Sequence, residues 1–164
     1  EALNFALIKY GNLKRKSGNI PYFIHPLRIT LILRAAGFSE FENEEIMIAA
    51  LLHDLIEDTD ISSDEIEAKF GKKVASIVNE LTISDKNIKD QYLEDLKYAS
   101  YDAKIIKLAD RIDNLIDIPT SSWSKDKQKD YAEQAKKILK SCGDAHSELA
   151  IRLNQEIDKI LDRV

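Results

Sequence analysis

"AALLHDLIEDTD", residues 49–60, sets a histidine, three aspartates and a glutamate directly behind a hydrophobic run. Leu51, Leu52, Leu55 and Ile56 follow helical rather than alternating spacing, and the pattern predicts a helix over about 43–57. Residues four apart share a helix face, so such a helix stacks His53 on Glu57 and Asp54 on Asp58 in two adjoining polar rows. Ala49, Ala50, Leu52 and Ile56 supply its buried side. Carboxylates crowded near a helix C-terminus oppose the macrodipole, which favours cations there. A bound divalent cation would remove that conflict. The plainer alternative is a solvated helix end whose histidine is satisfied locally.

The same period runs outward in both directions. It predicts further helices over about 2–11, 26–36, 63–70, 72–81, 87–99, 101–117, 125–141 and 145–162. Only five glycines and three prolines punctuate the chain. Pro26 suits a first helical turn, where its missing N–H would be unpaired anyway. Gly37 suits the C-terminal cap of the same helix. Ser62 or Ser63, with Glu65 or Glu67, has the spacing of a capping motif. These features make the expected fold all-α, a helical bundle forming one domain over residues 1–164, with the amphipathic helices of 124–162 packed on the rest.

At 164 residues, 44% hydrophobic and 32% charged, the chain is too apolar to be disordered and large enough for a real core. No apolar run approaches the roughly 20 residues that cross a bilayer. Cys142 stands alone, which excludes an internal disulfide and a cysteine-based metal cluster and makes the cytoplasm the default location. Residues 1–34 carry six Lys/Arg against Glu1, a net +5, so the remainder carries −10 of the total −5. A nucleic acid would meet mostly repulsion. A small anionic ligand near the basic N-terminal part would not.

Three consecutive cations, Lys14, Arg15 and Lys16, lie in the irregular stretch "YGNLKRKSGNIPYF", residues 10–23. His25 follows in "FIHPLRI", before an apolar face drawn through Leu27, Thr30, Leu31 and Leu33, where it can serve as a ligand, a cap or a packing residue. His146, in "CGDAHSEL", belongs to the surface or to a helix start. In "AKIIKLADRIDNLID", residues 103–117, Asp110 falls inside an apolar pattern where an unpaired carboxylate is costly. It either pairs with Lys107 or Arg111 or addresses a site together with Asn114, one turn later. Two imidazoles and two carboxylates make a mixed N/O donor set that suits manganese, iron or zinc.

Taken in order, "RKSGNIPYFIHPLRI", "AALLHDLIEDT", "FGKKVASIVNELT", "YLEDL" and "IIKLADRIDNL" resemble the HD-domain metal-dependent phosphohydrolases. Within them they are similar to the RelA/SpoT-type alarmone hydrolase domain in its small stand-alone form. The matching segments run from about residue 5 to 118. The resemblance implies that His25, His53, Asp54 and Asp110 hold a manganese ion and that Glu57 and Asp58 position and activate the attacking water. It implies that Arg15, Lys16 and Asn114 contact a nucleotide substrate, guanosine tetra- or pentaphosphate, which loses its 3′-pyrophosphate. The family commonly has a histidine before that asparagine and an Arg-Thr pair after it; here Asp113, Ile116 and Asp117 stand instead. Those changes leave open another nucleotide as substrate, or a nucleotide-binding regulator without catalysis.

Overall fold

The computed structural model describes all residues except 16–18 and 84, and only the backbone of 86 and 120. The elements are α1 (Ala2–Tyr10), α2 (Ile24–Ala35), α3 (Glu44–Leu52), α4 (Leu55–Asp58), α5 (Ser63–Phe70), α6 (Lys72–Leu81), α7 (Lys89–Asp95), α8 (Tyr101–Asp117), α9 (Lys125–Cys142) and α10 (Ser147–Leu161). Short 3-10 turns occupy Lys86–Ile88, Leu96–Tyr98 and Ile118–Thr120. Among the described residues there is no strand. The all-α expectation therefore holds.

The architecture is organised around α8. Its residues 103–113 are buried without a break, so this helix is enclosed on all sides for three turns. Helices α2, α3, α6, α9 and α10 all pack against it. Ile105, Ile106, Leu108, Ala109 and Ile112 are fully buried, and each large aliphatic side chain contributes about 1.5–3 kcal/mol through burial. The same stretch carries Lys104, Lys107, Asp110, Arg111 and Asp113, and charges in such a place persist only when partnered. Lys104 reaches Asp144 at 3.3 Å and Arg111 stacks on the Tyr131 ring at 4.1 Å; Lys107 and Asp110 pair with each other, and Asp113 is held by Arg28.

Local signals explain most helix ends. The Ser62 side chain accepts the Glu65 N–H while Glu65 returns to the Ser62 N–H, a complete capping box for α5. Ser100 and Ser124 cap α8 and α9, and His146 caps α10 by accepting the Leu149 N–H. Gly37, at φ 95°, ends α2: its N–H donates to Arg34 O and that of Phe38 to Leu33 O, the paired bonds of a Schellman motif. No helix among the described residues is long and apolar enough to cross a membrane.

Three sequence expectations need correction. The continuous helix over 43–57 is broken at His53 and Asp54, where Asp54 leaves helical geometry (φ −103°, ψ 1°). Periodicity alone cannot see a break that leaves the apolar stripe in phase. The helix over 87–99 is α7 flanked by two 3-10 turns. In α2 the buried apolar residues are Ile29, Ile32 and Leu33, joined by Thr30, whereas Leu31 is exposed.

Candidate active site

The break after α3 shapes the site. On an uninterrupted helix, side chains at adjacent positions point about 100° apart. Here the turn brings the Asp54 carboxylate back to 3.0 Å from Nε2 of its neighbour His53. The His53 ring is fixed from behind, because Nδ1–H donates to the Ala50 carbonyl at 2.9 Å. In the neutral ring Nε2 therefore carries the lone pair; it is buried and, beside the Asp54 carboxylate, makes no hydrogen bond of good geometry among the described residues. A buried nitrogen left so fits a ligand to a metal ion better than a packed core histidine.

His25, in the first turn of α2, faces it with ring centroids 5.2 Å apart. His25 Nε2 is 3.2 Å from Asp110 Oδ1 and 3.7 Å from Asp54 Oδ2. His25, His53 and Asp110 offer ligand atoms that all lie within 4.8 Å of one another. The donor set, two imidazoles with Asp110 and the adjoining Asp54, fits a borderline divalent cation.

Asp110 does both things the sequence allowed. Its Oδ2 pairs with Lys107 at 3.0 Å, while Oδ1 faces the histidines and accepts from Asn114 Nδ2 at 2.5 Å. Burial opposes its ionisation, but Lys107 and His25 hold its carboxyl well below the usual range. Burial likewise opposes charge on Asp54, and His53 beside it outweighs that and keeps it low. His53 moves the other way: burial disfavours its proton, yet Asp54 and Asp110 raise it to about 9. A cation at this point would replace that proton as the partner of the carboxylates.

Tyr22 donates to Asp54 Oδ2 at 2.5 Å, so the basic loop closes one side of the centre. The loop is itself folded back, with Arg15 N–H donating to Ile20 O and Tyr22 N–H to Leu13 O. Arg15 crosses to α8, giving Nε and one terminal nitrogen to Asp117 at 3.1 and 2.9 Å and reaching Asn114 Oδ1 at 3.1 Å. Lys16 lies outside the described residues. Asp117 is drawn below its ordinary range: its burial resists, but hydrogen bonds from Arg28 and Arg15 prevail.

A cleft of about 360 Å³ opens over these residues. Glu57 and Asp58 line it from α4, Lys107, Arg111 and Asn114 from α8, and Arg15 from the loop. Glu57 is pushed up chiefly by burial, although the Ile83 N–H donates to its Oε2 at 3.2 Å. Sequence reasoning missed the far wall, where Trp123 and Tyr131 stand with their rings edge to face. The amphipathic pattern of the C-terminal third predicts packing alone. The sequence offers Lys107 and Arg111 as partners for Asp110, and their spacing of four along one helix is the signal that they share a face.

Known proteins resemble this chain in sequence and in fold. A family model described as HD domain matches residues 2–155. The guanosine-3′,5′-bis(diphosphate) 3′-pyrophosphohydrolase MESH1 of Danio rerio is 35% identical, over 94% of this chain and 89% of that protein. MESH1 of Homo sapiens is 36% identical, over 85% and 82%. A longer protein of the same enzyme name from Aquifex aeolicus is 37% identical over 93% of this chain, which spans 21% of it. A solved structure described as a metazoan ortholog of SpoT that hydrolyzes ppGpp superposes with a TM-score of 0.88 at 30% identity, covering 96% of this chain and 92% of that one. The chain belongs to the HD-domain family.

Proposed function

We propose that this protein hydrolyses guanosine 3′,5′-bis-pyrophosphates, releasing the 3′-pyrophosphate and leaving GDP or GTP, with manganese as its metal. The observation that carries the reading is the convergence of His25, His53 and Asp110 ligand atoms within 4.8 Å, at the base of a cleft lined by both carboxylates and cations. Relatives of similar length bear the name of this activity. His25, His53, Asp54 and Asp110 would hold the ion. When bound, a divalent metal supplies Lewis-acid polarisation of a phosphoryl oxygen and lowers the pKa of water.

The chain's own residues perform the rest. Glu57, kept partly desolvated and anchored by Ile83, orients the attacking water and accepts its proton, with Asp58 beside it. The water oxygen bonds to phosphorus, the bond from phosphorus to the 3′ oxygen breaks, and that oxygen ends protonated. Lys107 and Arg111 bring positive charge to the cleft next to the reacting phosphate. Asn114 and the basic residues Arg15 and Lys16 contact the nucleotide, Arg15 being suited to a planar or bidentate contact.

Purified protein with manganese and guanosine tetraphosphate should release one pyrophosphate per GDP formed, and metal removal should abolish this. Absence of turnover with the metal bound would leave a nucleotide-binding regulator. Turnover of a different nucleotide in preference would favour a second reading, for which one contact speaks. Arg15 is already held by Asp117 and Asn114 and must exchange partners to reach a phosphate.

That contact also sets an expected result for the loop. Arg15→Ala should raise KM for guanosine tetraphosphate about tenfold, the loss of roughly 1.4 kcal/mol, while leaving metal content intact. Asp117→Thr should lower KM, because it frees Arg15 from its carboxylate. Wild-type KM should climb with salt, since charges beyond about 8 Å are screened at physiological ionic strength. Identical kinetics for the three proteins across a salt series would reduce the loop to a solvated surface.

A further inference from the structure

Asp113 is the most deeply buried carboxylate of the site, at 1% exposure, yet it faces away from the cleft. Its Oδ2 accepts from His25 Nδ1 at 2.6 Å, on the ring edge opposite the metal-facing Nε2. Arg28 grips both oxygens, Nε at 2.5 Å from Oδ1 and a terminal nitrogen at 3.0 Å from Oδ2, and also reaches Asp117 at 2.7 Å. Arg15 stands 3.6 Å from Oδ2. No other described group in the site has a ligand histidine on one side and a guanidinium fork on the other.

We propose that Asp113 is a positioning residue for His25: its carboxylate, itself fixed by Arg28, holds the proton on Nδ1 and so turns the Nε2 lone pair toward the centre formed with His53, Asp54 and Asp110. The inference rests on the metal-centre reading above. Its physical basis is general. A ligating imidazole needs an acceptor at its other nitrogen to fix tautomer and ring orientation, and loss of that acceptor weakens metal affinity by about 10–100-fold. His53 obtains the same service from the Ala50 carbonyl. His25 has no carbonyl in that place and uses a side chain from a helix 88 residues away. The substitution at 113 thereby acquires a role in metal binding in addition to any effect on the nucleotide.

Without the acceptor, a buried Nδ1–H would be unsatisfied. The His25 proton would then move to Nε2, where Asp110 Oδ1 at 3.2 Å accepts it and the lone pair is no longer presented to the metal. Asp113→Leu, close to the native shape, tests this. Manganese affinity, measured by titrating the apoprotein with Mn²⁺ alone, should fall about 10–100-fold. Turnover should return at high manganese.

Asp113→Asn separates positioning from charge. Both variants remove the negative charge that faces Arg15 and Arg28, but Asn keeps an oxygen. Set in the Oδ2 position, that oxygen still accepts from His25 Nδ1 and from one nitrogen of Arg28. The Asn variant should bind Mn²⁺ within a few fold of wild type. Asp113→Ala, expected to behave as Leu does, stands in if the Leu variant melts below the assay temperature. Equal weakening in Asn and Leu, or wild-type affinity in Leu and Ala, would overturn the inference while leaving the metal centre intact. A wild-type protein that binds no Mn²⁺ would overturn the metal-centre reading itself.

Discussion

Asp110→Ala should strip the protein of metal and of hydrolysis together, with activity reduced at least about a thousandfold. Lewis-acid stabilisation contributes several kcal/mol, and each 1.4 kcal/mol or so is a factor of ten in rate. Asp110 has no substitute, because one carboxylate faces both histidines through Oδ1 and neutralises Lys107 through Oδ2. Removing it leaves a buried ammonium without its partner, which costs about 3–5 kcal/mol of stability. Asp110→Asn, which preserves shape, guards against confusing that loss with loss of the site. Metal content by elemental analysis, turnover and a melting curve on each variant decide the matter. Stoichiometric metal with full turnover in the folded Ala variant would remove Asp110 from the centre.

The second large effect should be purely kinetic. Glu57→Gln keeps an amide oxygen where Oε2 accepts the Ile83 N–H, so the local fold and the metal should persist. What it loses is a group able to take up a proton. The expected fall in kcat is about 10²–10⁴-fold with KM nearly unchanged, the pattern of an interaction made only in the transition state. Normal turnover in this variant would assign water activation elsewhere, Asp58 being the neighbour in the cleft.

Much of the fold was legible because caps and apolar stripes are local signals. Ser62 with Glu65, Gly37 and the apolar pattern of 101–117 all do in the structure what their spacing announces. The break at His53–Asp54 was not legible, since Leu52 and Leu55 remain buried on either side of it. Yet that break, and not helical stacking on Glu57, puts Asp54 against His53. The candidate ligands were legible as residue types in a familiar order. Of their partners only Lys107 was legible, three residues before Asp110 on the same helix; Tyr22 for Asp54 and Asp113 for His25 depend on how separate segments of the chain meet. Asp113 shows the limit best. In the chain it is a charge beside Asn114; in space it is enclosed between α2 and α8, and that inward aim follows from packing rather than from neighbours in sequence.

The central position of α8 makes it a ruler as well as a core. Asp110 and Asp117 are seven residues apart, about 10 Å of axial rise, so the centre and the anchor of Arg15 are held at a separation that neither loop can alter. One residue added or removed between Asp110 and Asp113 would rotate everything beyond it by about 100°, carrying Asp113, Asn114 and Asp117 off their partners together. Exchange of a side chain at 113, 116 or 117 leaves the graduation intact and changes only what is read at each mark. Diversification of this site can therefore proceed by composition along α8, but not by its length.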